Sequence, residues 1–247
     1  MSYACSCPGK DRYMPANHAN VVLVHGAWAD GSSWSKVIGP LKAAGMNVVA
    51  APLPLTSLAD DVAALDAVLE RLDGAVLLVG HAYAGAVIAA TRDPKVASLV
   101  YIAGLAPEEG ETVGDVFYRG QRHPKAPELS PDRHGLVWLP EKAFADAFAQ
   151  NATGDEQAVL AAVQRPVNVA CISVPVGRPL WKDRPSWVLI AEDDRMINPA
   201  TQHFTAGRMG AHARTRLVDH APLVTAPAEV VGIVLDAAWE TAPPQQA

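Results

Sequence analysis

Residues 76–89 read VLLVGHAYAGAVIA. An apolar run, Ala75–Val79, meets Gly80-His81-Ala82-Tyr83-Ala84-Gly85, and a helix-like stretch follows. That order, strand then tight turn then helix, is an elbow that lifts one side chain above the end of a sheet, where it commonly serves as a nucleophile. The flanks fit G-x-S-x-G spacing loosely, with Gly80 in the first glycine position and Ala84 in the last. The raised position itself is Ala82, which has no oxygen, no sulfur and no proton to give. The stretch therefore points to a fold while withholding the chemistry that usually goes with it.

Outward from the elbow, strand and helix signals alternate. Val21–Val24 is a short apolar run ending in His25-Gly26-Ala27-Trp28, and it reads as a buried strand. Ser33–Ala44 reads as a helix stopped by Gly45, and Met46–Ala50 as a second strand before the breaker-rich APLPLTS. Ser57 is an N-cap candidate with Asp60 three residues on. Leu58, Val62, Leu65, Val68 and Leu72 then make one apolar helical stripe, closed by Asp73-Gly74. After the elbow come a helix, Tyr83–Thr91, and a strand, Leu99–Ile102. This alternation predicts an α/β fold with a doubly wound, mostly parallel sheet covered on both faces.

The alternation breaks after Ala106. Residues 107–180 hold several Pro and Gly, no clear buried strand, and helix-like pieces near Thr112–Tyr118, Glu141–Gln150 and Asp155–Gln164. They read as an inserted helical cap. Alternation resumes with Trp187–Ile190, Pro199–Met209, Thr215–Val218 and Pro227–Trp239. The expected organisation is a flexible tail at 1–19, a core at 20–106 and 181–240, and a cap at 107–180.

The chain has 247 residues, half of them hydrophobic, enough for one large α/β domain with a buried core. A net charge of −6 and the absence of any Lys/Arg run argue against a nucleic-acid or anionic-membrane surface. No segment approaches the roughly 20 apolar residues of a membrane span. The first residues lack the apolar stretch of a secretory signal. Three cysteines, Cys5, Cys7 and Cys171, are an odd count that suggests reduced thiols and a cytoplasmic setting. Cys5 and Cys7 supply only half of a metal site, and a disordered tail is the simpler reading. No His/Cys/Asp/Glu cluster has metal-ligand spacing and no phosphate-binding glycine loop follows a strand, so no cofactor is expected. The expected partner is a small-molecule substrate, with homo-oligomerisation left open.

Four markers in order resemble the α/β-hydrolase superfamily over roughly residues 20–240: VLVHGAW at 22–28, the elbow at 80–85, AEDDRMINP at 191–199 and VDHAPLV at 218–224. The resemblance is to small bacterial esterase-like hydrolases, and to the plant methylesterase and hydroxynitrile-lyase group. The order nucleophile, acid, histidine is the one this fold uses. His220, in a loop after the last strand, is the candidate general base rather than a solvated surface histidine. The resemblance pairs it with Asp194, which would fix its tautomer, with Asp193 as the fallback. The alternative for Asp194 is a charge favouring the helix that starts near Pro199.

The resemblance also assigns an oxyanion hole to the backbone N–H groups of Ala27 and Tyr83, neither of which needs a serine hydroxyl. His25 reads as a brace for its loop, and His81 as a side chain turned away from the reacting centre. Trp28, Phe117, Tyr118, Trp138 and Trp181 are candidate substrate-binding aromatics; the alternative is that they are core or anchor the cap. His123 and His134 sit in polar loops and are expected to be solvated.

Three explanations of Ala82 stay open. One is a serine esterase or lactonase disabled by a Ser-to-Ala change. Another is a natural chain in which His220 and Asp194 work alone on a small, largely apolar ester, lactone or carbonyl compound. His220 would then activate water, or take a proton from the substrate as hydroxynitrile lyases and cofactor-independent dioxygenases of this fold are thought to do. Those lyases carry a lysine directly after the histidine, where Ala221 stands here. The third is a non-catalytic binding protein that keeps a hydrolase pocket. The second alanine of the elbow, Ala84, favours natural drift over a single engineered change.

Overall fold

The computed structural model describes residues 20–241. The expected tail at 1–19, with Cys5 and Cys7, lies outside the described residues. In chain order the fold begins with β1 (Asn20–Val24), a 3-10 turn at Gly31–Trp34, α1 (Ser35–Ala43), β2 (Asn47–Ala51) and α2 (Leu58–Leu69). β3 (Val76–His81), α3 (Ala84–Ala90) and β4 (Val96–Ile102) follow. Between β4 and the next sheet strand lie α4 (Val113–Phe117), β5 (Leu136–Val137), α5 (Glu141–Ala143) running into a π-helical turn at Phe144–Phe148, α6 (Gly154–Val163) and β6 (Val167–Asn168). β7 (Ser186–Ala191), α7 (Pro199–Met209), β8 (His212–Arg216), α8 (Pro222–Thr225) and α9 (Pro227–Thr241) complete it.

Six strands form one parallel sheet in the order β2-β1-β3-β4-β7-β8. β1, β3 and β7 are buried along their whole length, and β4 at all but one residue. That is why they read as continuous apolar runs rather than alternating ones: helices cover both faces of the sheet. α1 packs against α9, and α2 against α3. The strand order reverses between β1 and β3, and the crevice above such a switch point is where open α/β sheets bind ligands.

Two expectations need correction. The last strand lies at His212–Arg216, not Thr215–Val218. As an edge strand paired only with β7 it is largely exposed, and its sequence HARTR carries no apolar run to mark it. The segment between β4 and β7 also contains strands, β5 and β6, paired antiparallel over two residues each. A ladder that short leaves no periodicity to read. Among the described residues no helix is long and apolar enough to cross a membrane.

Candidate active site

β1 and β3 are neighbours in register, with Val24 opposite Gly80. The loops leaving them, His25–Trp28 and His81–Tyr83, therefore emerge side by side at the switch point. Their closeness demands glycine. A Cβ on Gly26 would stand 3.1 Å from the Ala82 Cβ and 3.0 Å from the His81 carbonyl oxygen. A Cβ on Gly80 would stand 2.8 Å from the Ala84 carbonyl oxygen. Ala82 has φ +48, in the left-handed region, a conformation that costs a non-glycine residue on the order of 1–3 kcal/mol. Its backbone is clamped to hold it there: the Ala82 N–H donates to Ile102 O at 3.1 Å, and Ala82 O accepts from Leu105 N at 2.9 Å and Gly85 N at 3.1 Å.

His220 follows β8 and is buried, 2% exposed. Its Nδ1–H donates to Asp194 Oδ2 at 2.8 Å. The Asp194 carboxylate is saturated with donors: Oδ2 also accepts from Gln202 Nε2 at 2.8 Å, and Oδ1 accepts from the N–H groups of Met196 and Ile197, each at 2.8 Å. Four donors fix the carboxylate as an acceptor, and that fixes the histidine with its proton on Nδ1. The basic lone pair is then on Nε2, which has no partner among the described residues. Asp193 does not reach the histidine; its carboxylate lies 3.6 Å from Arg195.

Two buried groups hold the His220 loop from behind. His81 donates Nε2–H to His220 O at 2.7 Å, and the two rings sit 4.9 Å apart. Burial, with a contribution from nearby His220, pushes His81 down to about 3, so it stays neutral. Asp219 accepts from Ala221 N–H, the Thr225 hydroxyl and, across the chain, Asn151 N–H at 2.9 Å. Burial raises its pKa. The Phe148 ring closes edge-on against both histidines.

The N–H groups of Ala27 and Tyr83, which line the same cavity as His220, have no acceptor among the described residues. The Tyr83 side chain is tied down separately: its hydroxyl donates to Asp61 Oδ2 at 2.6 Å, in a fully buried pocket shared with the Cys171 thiol at 3.6 Å. Asp61 Oδ1 accepts Leu55 N–H at 2.7 Å, and burial raises the Asp61 pKa. His25 braces its loop, donating Nδ1–H to Gly26 O at 2.9 Å and accepting Leu53 N–H on Nε2 at 3.0 Å. Trp28, at φ +57, links that loop to the β4–β7 segment: its N–H donates to Arg165 O and its indole Nε1–H to Val137 O.

These groups surround a cavity of about 120 Å³. Ala27, Trp28, Ala82, Tyr83 and His220 line its floor, and Val113, Phe117, Val137, Val167, Ile172 and Ile197 line its walls. Of the remaining sequence candidates, Tyr118 joins the lining. Trp138 does not: it is half exposed, one residue past the wall residue Val137. Trp181 is buried away from the cavity, with its Nε1 3.4 Å from Pro107 O. His123 and His134 are exposed. Sequence reasoning missed Asp61, Gln202 and Asp219. Asp61 and Gln202 are polar residues buried on helices that no motif marks, and Asp219 lies inside the VDHAPLV stretch, where only His220 carries a sequence-predicted role.

A buried histidine bonded to a carboxylate, lining an apolar cavity beside the β3–α3 elbow of a six-stranded parallel sheet, defines a class. A family model described as the alpha/beta hydrolase family matches residues 21–233, and the chain belongs to that family. It is 35% identical over 113 residues to the carbendazim hydrolyzing esterase of Nocardioides sp. (strain SG-4G), covering 38% of this chain and 46% of that protein. It is 31% identical over 190 residues to lipase LipV of Mycobacterium tuberculosis (strain ATCC 25618 / H37Rv), covering 69% of this chain and 64% of that protein. The matches thus span from about half to just under two thirds of these relatives' lengths. Among solved structures, tomato methylketone synthase I complexed with 2-tridecanone superposes with a TM-score of 0.76 at 18% identity, over 91% of this chain and 99% of that one.

Proposed function

We propose that this protein hydrolyses a small, largely apolar ester or lactone, with His220 as the general base acting on water and with no serine nucleophile. The observation that carries the reading is the four-donor Asp194 carboxylate, which commits His220 to the tautomer with a free lone pair on Nε2. That lone pair takes a proton from water as the water oxygen attacks the substrate carbonyl carbon. Negative charge then gathers on the carbonyl oxygen, where the Ala27 and Tyr83 N–H groups donate to it; one such donor is commonly worth about 10²–10³ in rate. When the tetrahedral intermediate collapses, the imidazolium returns its proton to the departing alkoxide, and Asp194 stabilises the cation in between. Ester and water become acid and alcohol, with the base regenerated.

The apolar walls favour a second use of the same base. In a cavity lined by Val, Leu, Ile and Phe, the His220 lone pair can take a proton from carbon or oxygen of a carbonyl substrate, with the same two N–H groups holding the resulting oxyanion.

The test is turnover of short-chain p-nitrophenyl esters and small lactones by the chain and by His220→Ala, with melting temperature followed as ligand is added. Turnover that disappears in His220→Ala supports the hydrolytic reading. Ligand-dependent stabilisation without turnover of any ester or lactone contradicts it and moves the site to carbonyl proton transfer or to binding alone.

A further inference from the structure

A second cavity of about 380 Å³ opens beside the first. The two share three lining residues, Phe117, Tyr118 and Leu129. The inner cavity is close to the size that holds a single small ring, and well below the roughly 300–1,000 Å³ of typical small-molecule sites. Only with the outer one added does the site reach that range. The inner chamber accommodates a reacting carbonyl and a short apolar group; the rest of a larger substrate has to pass Phe117 and Tyr118. Those rings meet edge-on at 4.9 Å, and Tyr118 is 60% exposed at the mouth.

The outer chamber is anchored rather than loosely draped. Gly120 sits so close to α7 that a Cβ there would stand 2.7 Å from the Asn198 Cβ. Asn198 also donates to Gln121 O at 2.9 Å while capping α7 through Ala200 N–H. The chamber differs from the inner one in chemistry. Gln121, Arg122, Glu128, Ser130 and Asn198 line it, and the side chains of Gln121 and Ser130 have no partner among the described residues. Among the described residues Arg122 is held by a 3.3 Å bond to Pro127 O and a 3.6 Å approach to Glu128, whose side chain is 88% exposed. Most of its donors are unspent, and guanidinium donors match carboxylate oxygens in pairs.

Resting on the carbonyl-binding reading above, with the small, largely apolar part of the substrate now confined to its carbonyl end, we infer that the site is two-chambered and that its substrates are elongated. The carbonyl end lies against Ala82 and His220, and the far end carries an acceptor group, a carboxylate, received by Arg122 with Gln121 and Ser130. Phe117 and Tyr118 form the neck between the chambers and set the length that separates the two ends.

Calorimetric titration tests this without depending on turnover. The probes are methyl ketones of increasing chain length, each paired with the chain-matched keto acid bearing a terminal carboxylate. At one chain length the keto acid binds about five-fold tighter than its neutral partner, the worth of a solvent-exposed ion pair. Arg122→Ala removes that advantage without weakening the neutral ketones. Ser130→Trp fills the outer chamber and weakens the long members while sparing the shortest. If the shortest ketones bind but neither length nor carboxylate matters, or if Arg122→Ala leaves the keto acids unaffected, the two-chamber inference is overturned and the carbonyl site stands. If no ketone binds at any length, both fall.

Discussion

Replacing Asp194 by Asn puts one amide NH₂ where a carboxylate oxygen accepted two donors. At the Oδ1 position it would face the N–H groups of Met196 and Ile197, neither of which can reverse. At the Oδ2 position it would face Gln202 Nε2 and His220 Nδ1. Gln202 cannot turn round, because its Oε1 already accepts Ala191 N–H at 3.0 Å. Of the four donors, only His220 Nδ1 can become an acceptor, by moving its proton to Nε2. The amide is therefore expected at the Oδ2 position, with His220 switched to the Nε2–H tautomer and Gln202 Nε2 keeping only its 3.1 Å bond to Ile197 O. Loss of one buried charge-assisted bond costs about 1–3 kcal/mol. Loss of the lone pair costs far more in rate, about 10⁴-fold by analogy with hydrolytic triads. Nitrogen NMR of the histidine rings reads the tautomer, denaturant unfolding at neutral pH reads the stability, and ester turnover reads the rate. Retention of Nδ1–H in Asp194→Asn, with turnover within ten-fold of the parent, would refute the argument.

Other consequences follow from the same contacts. In Gly85→Ala the new Cβ would overlap the Leu105 backbone oxygen, so a loss of about 3 kcal/mol is expected, read as a fall in melting temperature of roughly 10 °C. Trp28→Phe leaves the buried Val137 carbonyl without its indole donor; the expected cost is about 1–2 kcal/mol, with faster proteolysis between β4 and β7. His81, held near 3 in the fold against about 6.5 in the unfolded chain, gives a signed pH effect. Below pH 6.5 the unfolded chain takes up a proton that the folded chain refuses. The stability His81 contributes is therefore complete above 6.5 and lost as pH falls toward 3, about 2 kcal/mol of it by pH 5. His25, also lowered by burial, adds in the same direction. Asp61 and Asp219, raised by burial, run the opposite way: their contribution is present below the ordinary carboxylate range and lost as pH rises through their elevated values. In His81→Asn the unfolding free energy should vary less steeply between pH 6.5 and 4; an unchanged slope would show that His81 is not the group held neutral.

The elbow and its partners were legible because geometry forces their sequence. Gly26, Gly80 and Gly85 stand where a Cβ has no room, and the runs in β1, β3 and β7 are apolar because helices cover both faces. The bonded pair His220 and Asp194 was legible by position, each residue in the loop after a strand. What the sequence hid is what depends on long-range packing. Whether an aromatic lines the cavity turns on a single residue of register: Val137 faces it and Trp138 does not. Trp181 has the composition of a pocket wall but sits against Pro107 instead. Gln202 and Asp219 matter only because of where Asp194 and Asn151 arrive from elsewhere in the chain. The polar outer chamber is built by a loop, residues 118–130, that has no periodic signal.

The central claim is that His220 works without a nucleophile at position 82. Its most direct test compares the chain with Ala82→Ser on short-chain p-nitrophenyl esters, following both turnover and covalent labelling by a phosphonate probe. The account predicts that the chain itself turns over, that the probe labels only the Ala82→Ser form, and that the added hydroxyl changes the steady-state rate little. An inert parent beside an active, labelled Ala82→Ser form would contradict it and show a serine-hydrolase site that lacks only its serine.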